Sequence, residues 1–224
     1  MNRESLSSIE LKENSWPDKE LLKNAAVYDF DSLIRNLSEF RTSFVGMGYY
    51  GIVFRLQQPQ NNFDITLKLM RFNTSINAQD LGRLLKESHM LQNNALIKLF
   101  LLTDFRNRTD YLTKNLAFAQ SAGHMLGNIV APNYVDAPIA LWARNSDLVG
   151  YSLPYLKGTS ERICDDKELS VRADEIEKSY NLFLGSRGTT IIRGSKNAIL
   201  LNDGNKRFID VRLKDTEDFS IPNL

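Results

Sequence analysis

The chain has 224 residues and carries 28 lysines and arginines against 27 acids, a formal net charge of +1. This near-balance gives no bulk field for nucleic acid or an anionic membrane surface. The one cysteine, Cys164, excludes an intrachain disulfide framework, and no apolar run approaches the roughly 20 residues that a membrane helix requires. With 42% hydrophobic residues there is material for one or two folded units in a reducing compartment.

Residues 1–17 are polar and rich in Ser, Asn and Glu, and read as a flexible leader. They lack the apolar core of a secretory signal. Residues 18–40 carry helical spacing through Leu21, Leu22, Ala25, Leu33 and Leu37. Thr42–Val45 then reads as a strand running into glycines, and Ile52–Leu56 as the strand leaving them. The next strand, Ile65–Met70, alternates Ile65, Leu67 and Leu69 with Thr66, Lys68 and Met70.

Asn77 caps an expected helix from Ala78, with Asp80 in its first turn and a stripe through Leu81, Leu84, Leu85, Leu91 and Ala95. Helical pattern returns at Leu96–Leu102 and, after a polar break, at Tyr111–Leu126. Strands are expected at Ile129–Val135, Ala137–Ala143 and Leu148–Pro154. The acid-rich stretch Asp165–Glu177 opens a helix reaching about Leu184. The chain then reads as a hairpin, Ala198–Leu201 and Arg207–Val211, around the turn Asn202-Asp203-Gly204-Asn205.

Three features point to chemistry. Gly46, Gly48 and Gly51 form a Gly-x-Gly-x-x-Gly run followed by Val53. A strand follows this run where a dinucleotide-binding fold would place a helix, so the glycines read as a β-hairpin able to close over phosphates. Lys68 follows Val53 by fifteen residues on the next strand, within reach of phosphates under such a hairpin. Glu87 follows Lys68 by nineteen residues on a helix flank, where a carboxylate can hold a strand lysine.

At these spacings the chain resembles the protein kinase family. The resemblance implies an α+β kinase-like fold with an antiparallel-sheet small lobe and a strongly reduced large lobe. It places the small lobe at 18–155, with a helical insertion near 96–127, and the large lobe at 156–224. Asn128–Tyr134 looks like the start of the family's fourth strand. Gly150–Gly158 looks like its fifth strand and hinge, which would put Leu153 and Tyr155 beside an adenine.

The stretch from Gly188 to Leu201 aligns with the family's catalytic loop from both flanks. Either count puts Arg193 where the family has its catalytic aspartate, and Ala198 where it has a magnesium-binding asparagine. Asp210, at the end of Phe208-Ile209-Asp210, matches the metal-binding aspartate. An arginine cannot accept the substrate proton. The resemblance therefore implies ATP as ligand, with a weakened demand for Mg2+. Arg193 is expected to contact a phosphate or to pair with Asp210.

Fourteen residues follow Asp210, too few for the family's activation segment. Some bacterial effector kinases are similarly minimal. The reading that emerges is a pseudokinase acting through a protein partner, in the cytoplasm or delivered into a host cell. An active minimal kinase or nucleotidyltransferase is the alternative, and an interaction module with a fossil glycine loop is a third. His89 and His124 read as structural, Trp16 and Trp142 as packing residues. The basic residues around the last hairpin, among them Lys196, Lys206 and Arg207, read as a solvated face and not a nucleic-acid site.

Overall fold

The computed structural model describes residues 26–47, 51–70, 111–144, 147–184, 189–191, 193 and 196–213. It is an α+β protein whose sheets are mostly antiparallel. The chain divides into two compact units. The first takes residues 26–117 and 139–155, and the second takes 118–138 and 156–224.

The first unit is built on a six-stranded sheet. Its strands are β1 (Val27–Asp29), β2 (Arg41–Met47), β3 (Gly51–Gln58), β4 (Phe63–Met70), β5 (Ala140–Arg144) and β6 (Asp147–Pro154), in the order β1-β5-β6-β4-β3-β2. Only β1 runs parallel to its neighbour, β5. The two-residue period is clean in β3 and β4. Ile52, Phe54, Leu56, Phe63, Ile65, Leu67 and Leu69 are buried, and the residues between them are half-exposed. Between these strands the turn Pro59–Asn61 is released by Asn62 in the left-handed region, φ 50°.

Residues 26–40 differ from the helix that their spacing suggests. Val27, Tyr28 and Asp29 are recruited as a strand by β5, and Tyr28 packs on Trp142 at 5.5 Å between ring centroids. Sheet pairing outweighs helical period in this short run. Helix α1 begins only at Phe30, where Asp29 Oδ2 accepts the Ser32 N–H at 2.7 Å, and it ends at Arg35. Trp142 is fully buried and donates from Nε1 to Ser152 Oγ at 2.8 Å, as a packing residue should.

The second unit gathers around helix α2 (Tyr111–Val130) from Phe118 onward and helix α3 (Lys167–Leu184). Its strands are β7 (Gly158–Glu161), β8 (Thr189–Ile191), β9 (Ala198–Leu201), β10 (Lys206–Phe208) and β11 (Val211–Leu213). They form a three-stranded sheet, β10-β9-β7, and a two-stranded ribbon, β11-β8. The core joins Ala119, Ala122 and Leu126 of α2 to Leu169, Ala173 and Ile176 of α3, and to Ile191, Phe208, Val211 and Leu213. The expected hairpin is present, its turn closed by Gly204 at φ 85°. Val211 lies outside that hairpin and pairs instead with Ile191.

The expected strand at Ile129–Val135 is not there. Helix α2 continues to Val130, because Ala131 N–H still reaches the Gly127 carbonyl at 2.8 Å. Pro132 then stops it. The segment Asn128–Tyr134, expected as a strand, is thus a helix end and a turn, and the next strand is β5. From Phe118 on, α2 belongs to the second unit, and residues 96–110 of the expected insertion lie outside the described residues.

Candidate functional site

Each unit carries its own share of the residues singled out by sequence. In the first, β2 and β3 make the glycine hairpin. Gly46 pairs with Val53, and the register shifts between Phe44 and Gly46. A Cβ at Gly46 would meet nothing within 4 Å. Gly51 is tighter. A Cβ there would lie 3.2 Å from the Leu69 carbonyl oxygen and 3.3 Å from Lys68 Cε. The lysine stem thus runs past the last glycine of the motif. Val53 lies directly opposite Lys68 in the β3–β4 ladder, and Tyr151 opposite it in β6. Lys68 Nζ stands 5.8 Å from the Tyr151 ring centroid. The structure therefore brings Gly46, Gly51, Val53 and Lys68 together. Gly48 and Glu87 lie outside the described residues, as do the expected leader and the helix from Ala78.

Leu153 and Tyr155 end the strand next to Lys68's. The Leu153 carbonyl accepts from Thr66 Oγ1 at 3.2 Å, and the Tyr155 N–H donates to the Asp64 carbonyl at 3.2 Å. The Tyr155 ring carries the Arg55 guanidinium 3.8 Å above its centroid. Arg55 also forks onto Asp64, with Nε 2.7 Å from Oδ1 and Nη2 2.5 Å from Oδ2. Tyr155 thus serves as a stacking platform within the sheet.

In the second unit, Arg193 follows β8. Its guanidinium does not pair with Asp210. Nη1 lies 2.7 Å from Asp174 Oδ1 and Nη2 2.7 Å from Glu177 Oε2, both carboxylates on α3. The acid-rich helix that sequence could only describe as dense in charge is the arginine's counter-charge.

Asp210 occupies the corner between β10 and β11. Its Oδ1 accepts from Nε2 of Gln120, at 2.8 Å. Gln120 is buried on α2, a helix without a single acid in its twenty residues. One turn further, α2 comes so close to the corner that a Cβ on Gly123 would lie 2.6 Å from the Val211 carbonyl oxygen. Gln120 was missed because one glutamine on an apolar stripe has no spacing signal. The complete lack of acids in the helix before β5 was the available clue. Ala198, at the asparagine position, is fully buried in β9 and carries no donor for a cation. Among the described residues, one carboxylate beside an amide and an alanine does not match the paired-cation set implied by the kinase resemblance.

His124 is fully buried on the same helix, its Nδ1 3.1 Å from the Asp136 carbonyl oxygen. Burial pushes the Asp136 carboxyl up, and the nearby Arg207 opposes this.

The basic cluster is not simply a solvated face. Lys206 Nζ lies 2.7 Å from both Asp166 Oδ2 and Glu168 Oε2, and Arg207 donates to the Asn133 carbonyl. The ammonium holds both carboxyls below their usual range and is itself raised by them. Lys206 and Arg207 share a groove of about 880 Å³ with Tyr134, Arg172, Glu175 and Ile176. None of the residues expected to bind nucleotide lines it. Among the described residues no helix is long and apolar enough to cross a membrane. No model of a known protein family matches the chain, and no curated protein is significantly similar to it.

Proposed function

We propose that this chain is a degenerate kinase-fold protein that binds ATP without the usual phosphotransfer chemistry and acts through a protein partner. The carrying observation is the placement of Arg193. At the position that the resemblance gives to the catalytic base stands a cation, tied by both terminal nitrogens to Asp174 and Glu177. Such a group neither accepts a proton nor swings away cheaply.

Further support comes from the first unit. The strand bearing Lys68 lies between the glycine hairpin and the hinge-like strand β6, and Val53 and Gly51 both adjoin Lys68.

Thermal shift with ATP tests the first half. Wild type should be stabilised and Lys68→Ala should not, because a ligand stabilises only the state it binds. No shift for wild type would remove ATP from the reading. Incubation with γ- or α-labelled ATP and lysate tests the second half. Transfer of label by wild type, lost in Lys68→Ala, would establish an active transferase instead.

A further inference from the structure

We infer that the free edge of β7 is a pairing site for a second copy of this chain, joined antiparallel about a two-fold axis at Thr159. It involves the second unit alone and needs no nucleotide.

β7 ends the sheet order β10-β9-β7, and hydrogen-bond parity shows which backbone groups its edge offers. Leu201 donates its N–H to the Asn205 carbonyl at 2.7 Å, and Ile209 donates to the Asn197 carbonyl at 2.9 Å. Residues 197, 199 and 201 therefore bond toward β10, and 198 and 200 toward β7. The Phe208 N–H agrees, since it points out of the sheet to the Tyr134 carbonyl at 2.8 Å. Thr159 lies opposite Leu200, and Glu161 opposite Ala198, so these two carry the bonds to β9. Gly158 and Ser160 then turn their N–H and C=O groups outward. Both are exposed, as is Thr159 between them, and neither makes a further hydrogen bond among the described residues. The strand has no bulge and no proline to discourage a partner strand.

The side chains select the occupant. Two copies of β7 run antiparallel with Gly158 of one opposite Ser160 of the other, and each such pair exchanges both N–H···O bonds. Thr159 meets its counterpart on the axis, a favourable cross-strand pair. Lys157, immediately before the strand, falls opposite Glu161 of the other copy, and the axis repeats the pair. These are non-hydrogen-bonded positions, where Cα atoms approach to about 4.5 Å and side chains lie close. Neither Lys157 nor Glu161 makes an ion pair among the described residues. Sliding by two residues sets Thr159 against Lys157 or against Glu161 and loses both ion pairs. The edge is four residues long, far short of the roughly 1,200 Å² that stable complexes bury, so the dimer is weak, with a dissociation constant on the order of 100 µM.

Sedimentation equilibrium between about 20 µM and about 500 µM reads this association. The weight-average mass of wild type should climb from the monomer toward the dimer value across that range. Ser160→Pro deletes an outward N–H, leaves the β7–β9 bonds in place and should stay monomeric. Lys157→Glu and Glu161→Lys each set like charges opposite one another, and each alone should associate about tenfold more weakly than wild type. Mixed one to one, the two variants regain opposite charges at both ends and should associate as wild type does. Wild type that stays monomeric would overturn the inference. So would an association that Ser160→Pro and the charge variants leave unchanged, because it would belong to another surface. If Ser160→Pro fails to fold, the one-to-one mixture decides. Absence of ATP binding would defeat the proposed function and leave these outcomes untouched.

Discussion

The Glu177 carboxylate holds both Ile191 and Arg193. Its Oε2 lies 2.7 Å from Arg193 Nη2, and its Oε1 accepts the Ile191 N–H at 2.9 Å. One side chain of α3 thereby fixes the loop that the kinase resemblance assigns to catalysis. Position 193 carries a structural clamp.

Placing an aspartate at position 193 should cost stability. Arg193→Asp sets a third carboxylate beside Asp174 and Glu177, both partly exposed. A loss of about 2 kcal/mol is expected, read from the urea midpoint, and Arg193→Lys should lose about half of that. An Arg193→Asp protein as stable as wild type would show that the clamp carries no weight.

The glycines should differ sharply in tolerance. A Cβ at Gly150 would lie 2.3 Å from the Lys68 carbonyl oxygen, backbone that cannot move without opening the β4–β6 ladder. Gly150→Ala should destabilise the protein by about 3 kcal/mol or fail to fold. Gly46→Ala meets nothing, so its unfolding midpoint should match wild type. Any effect of Gly46→Ala on ATP-dependent thermal shift would then report on ligand approach alone.

Acid should release the Lys206 cluster. Asp166 is held below its usual range by the Lys206 ammonium and then by the Leu169 N–H. A depressed carboxyl stabilises fully above its unfolded value and loses that contribution as the pH falls through the folded one. The raised ammonium keeps its contribution below its own unfolded value. The stability difference between wild type and Lys206→Met should therefore stay flat between about pH 5 and pH 9, and shrink below about pH 4. Denaturation midpoints across that range measure it.

Arg55 should matter more than an ordinary surface arginine. It combines a fork onto Asp64 with stacking on Tyr155. Arg55→Met keeps much of the apolar stem and removes both interactions, with an expected loss of about 1–2 kcal/mol in thermal unfolding. Tyr155→Leu should remove the stacking part only and give the smaller loss.

The first sheet was largely legible because Ile52–Leu56 and Ile65–Leu69 bury every second side chain, and that period survives in any context. The turn at Asn202–Asn205 was equally plain, since few residues other than glycine accept the backbone of Gly204. Val27–Asp29 was not legible. A three-residue strand borrows its identity from β5, which lies more than a hundred residues away. The helix end at Val130 was misread because Ile129 and Val130 are β-branched and yet helical, and Ile129 is largely exposed. At the site, position 193 could be counted from both flanks, but its partners could not. Asp174 and Glu177 looked like any two acids on a charged helix until the fold set them beside the loop. Gln120 was hidden for the same reason. Its meaning depends on Asp210, ninety residues later.

The contact between Gly123 and the backbone of Val211 has an evolutionary side. A glycine in the middle of a helix usually weakens it and is easily replaced as sequences diverge. Here any replacement collides with main chain, so this position should resist drift on structural grounds alone. A thread for tracing distant relatives of this chain is therefore a helix reading amide, two small residues, glycine, histidine, as Gln120-Ser121-Ala122-Gly123-His124 does, followed some ninety residues later by an aspartate at a strand corner.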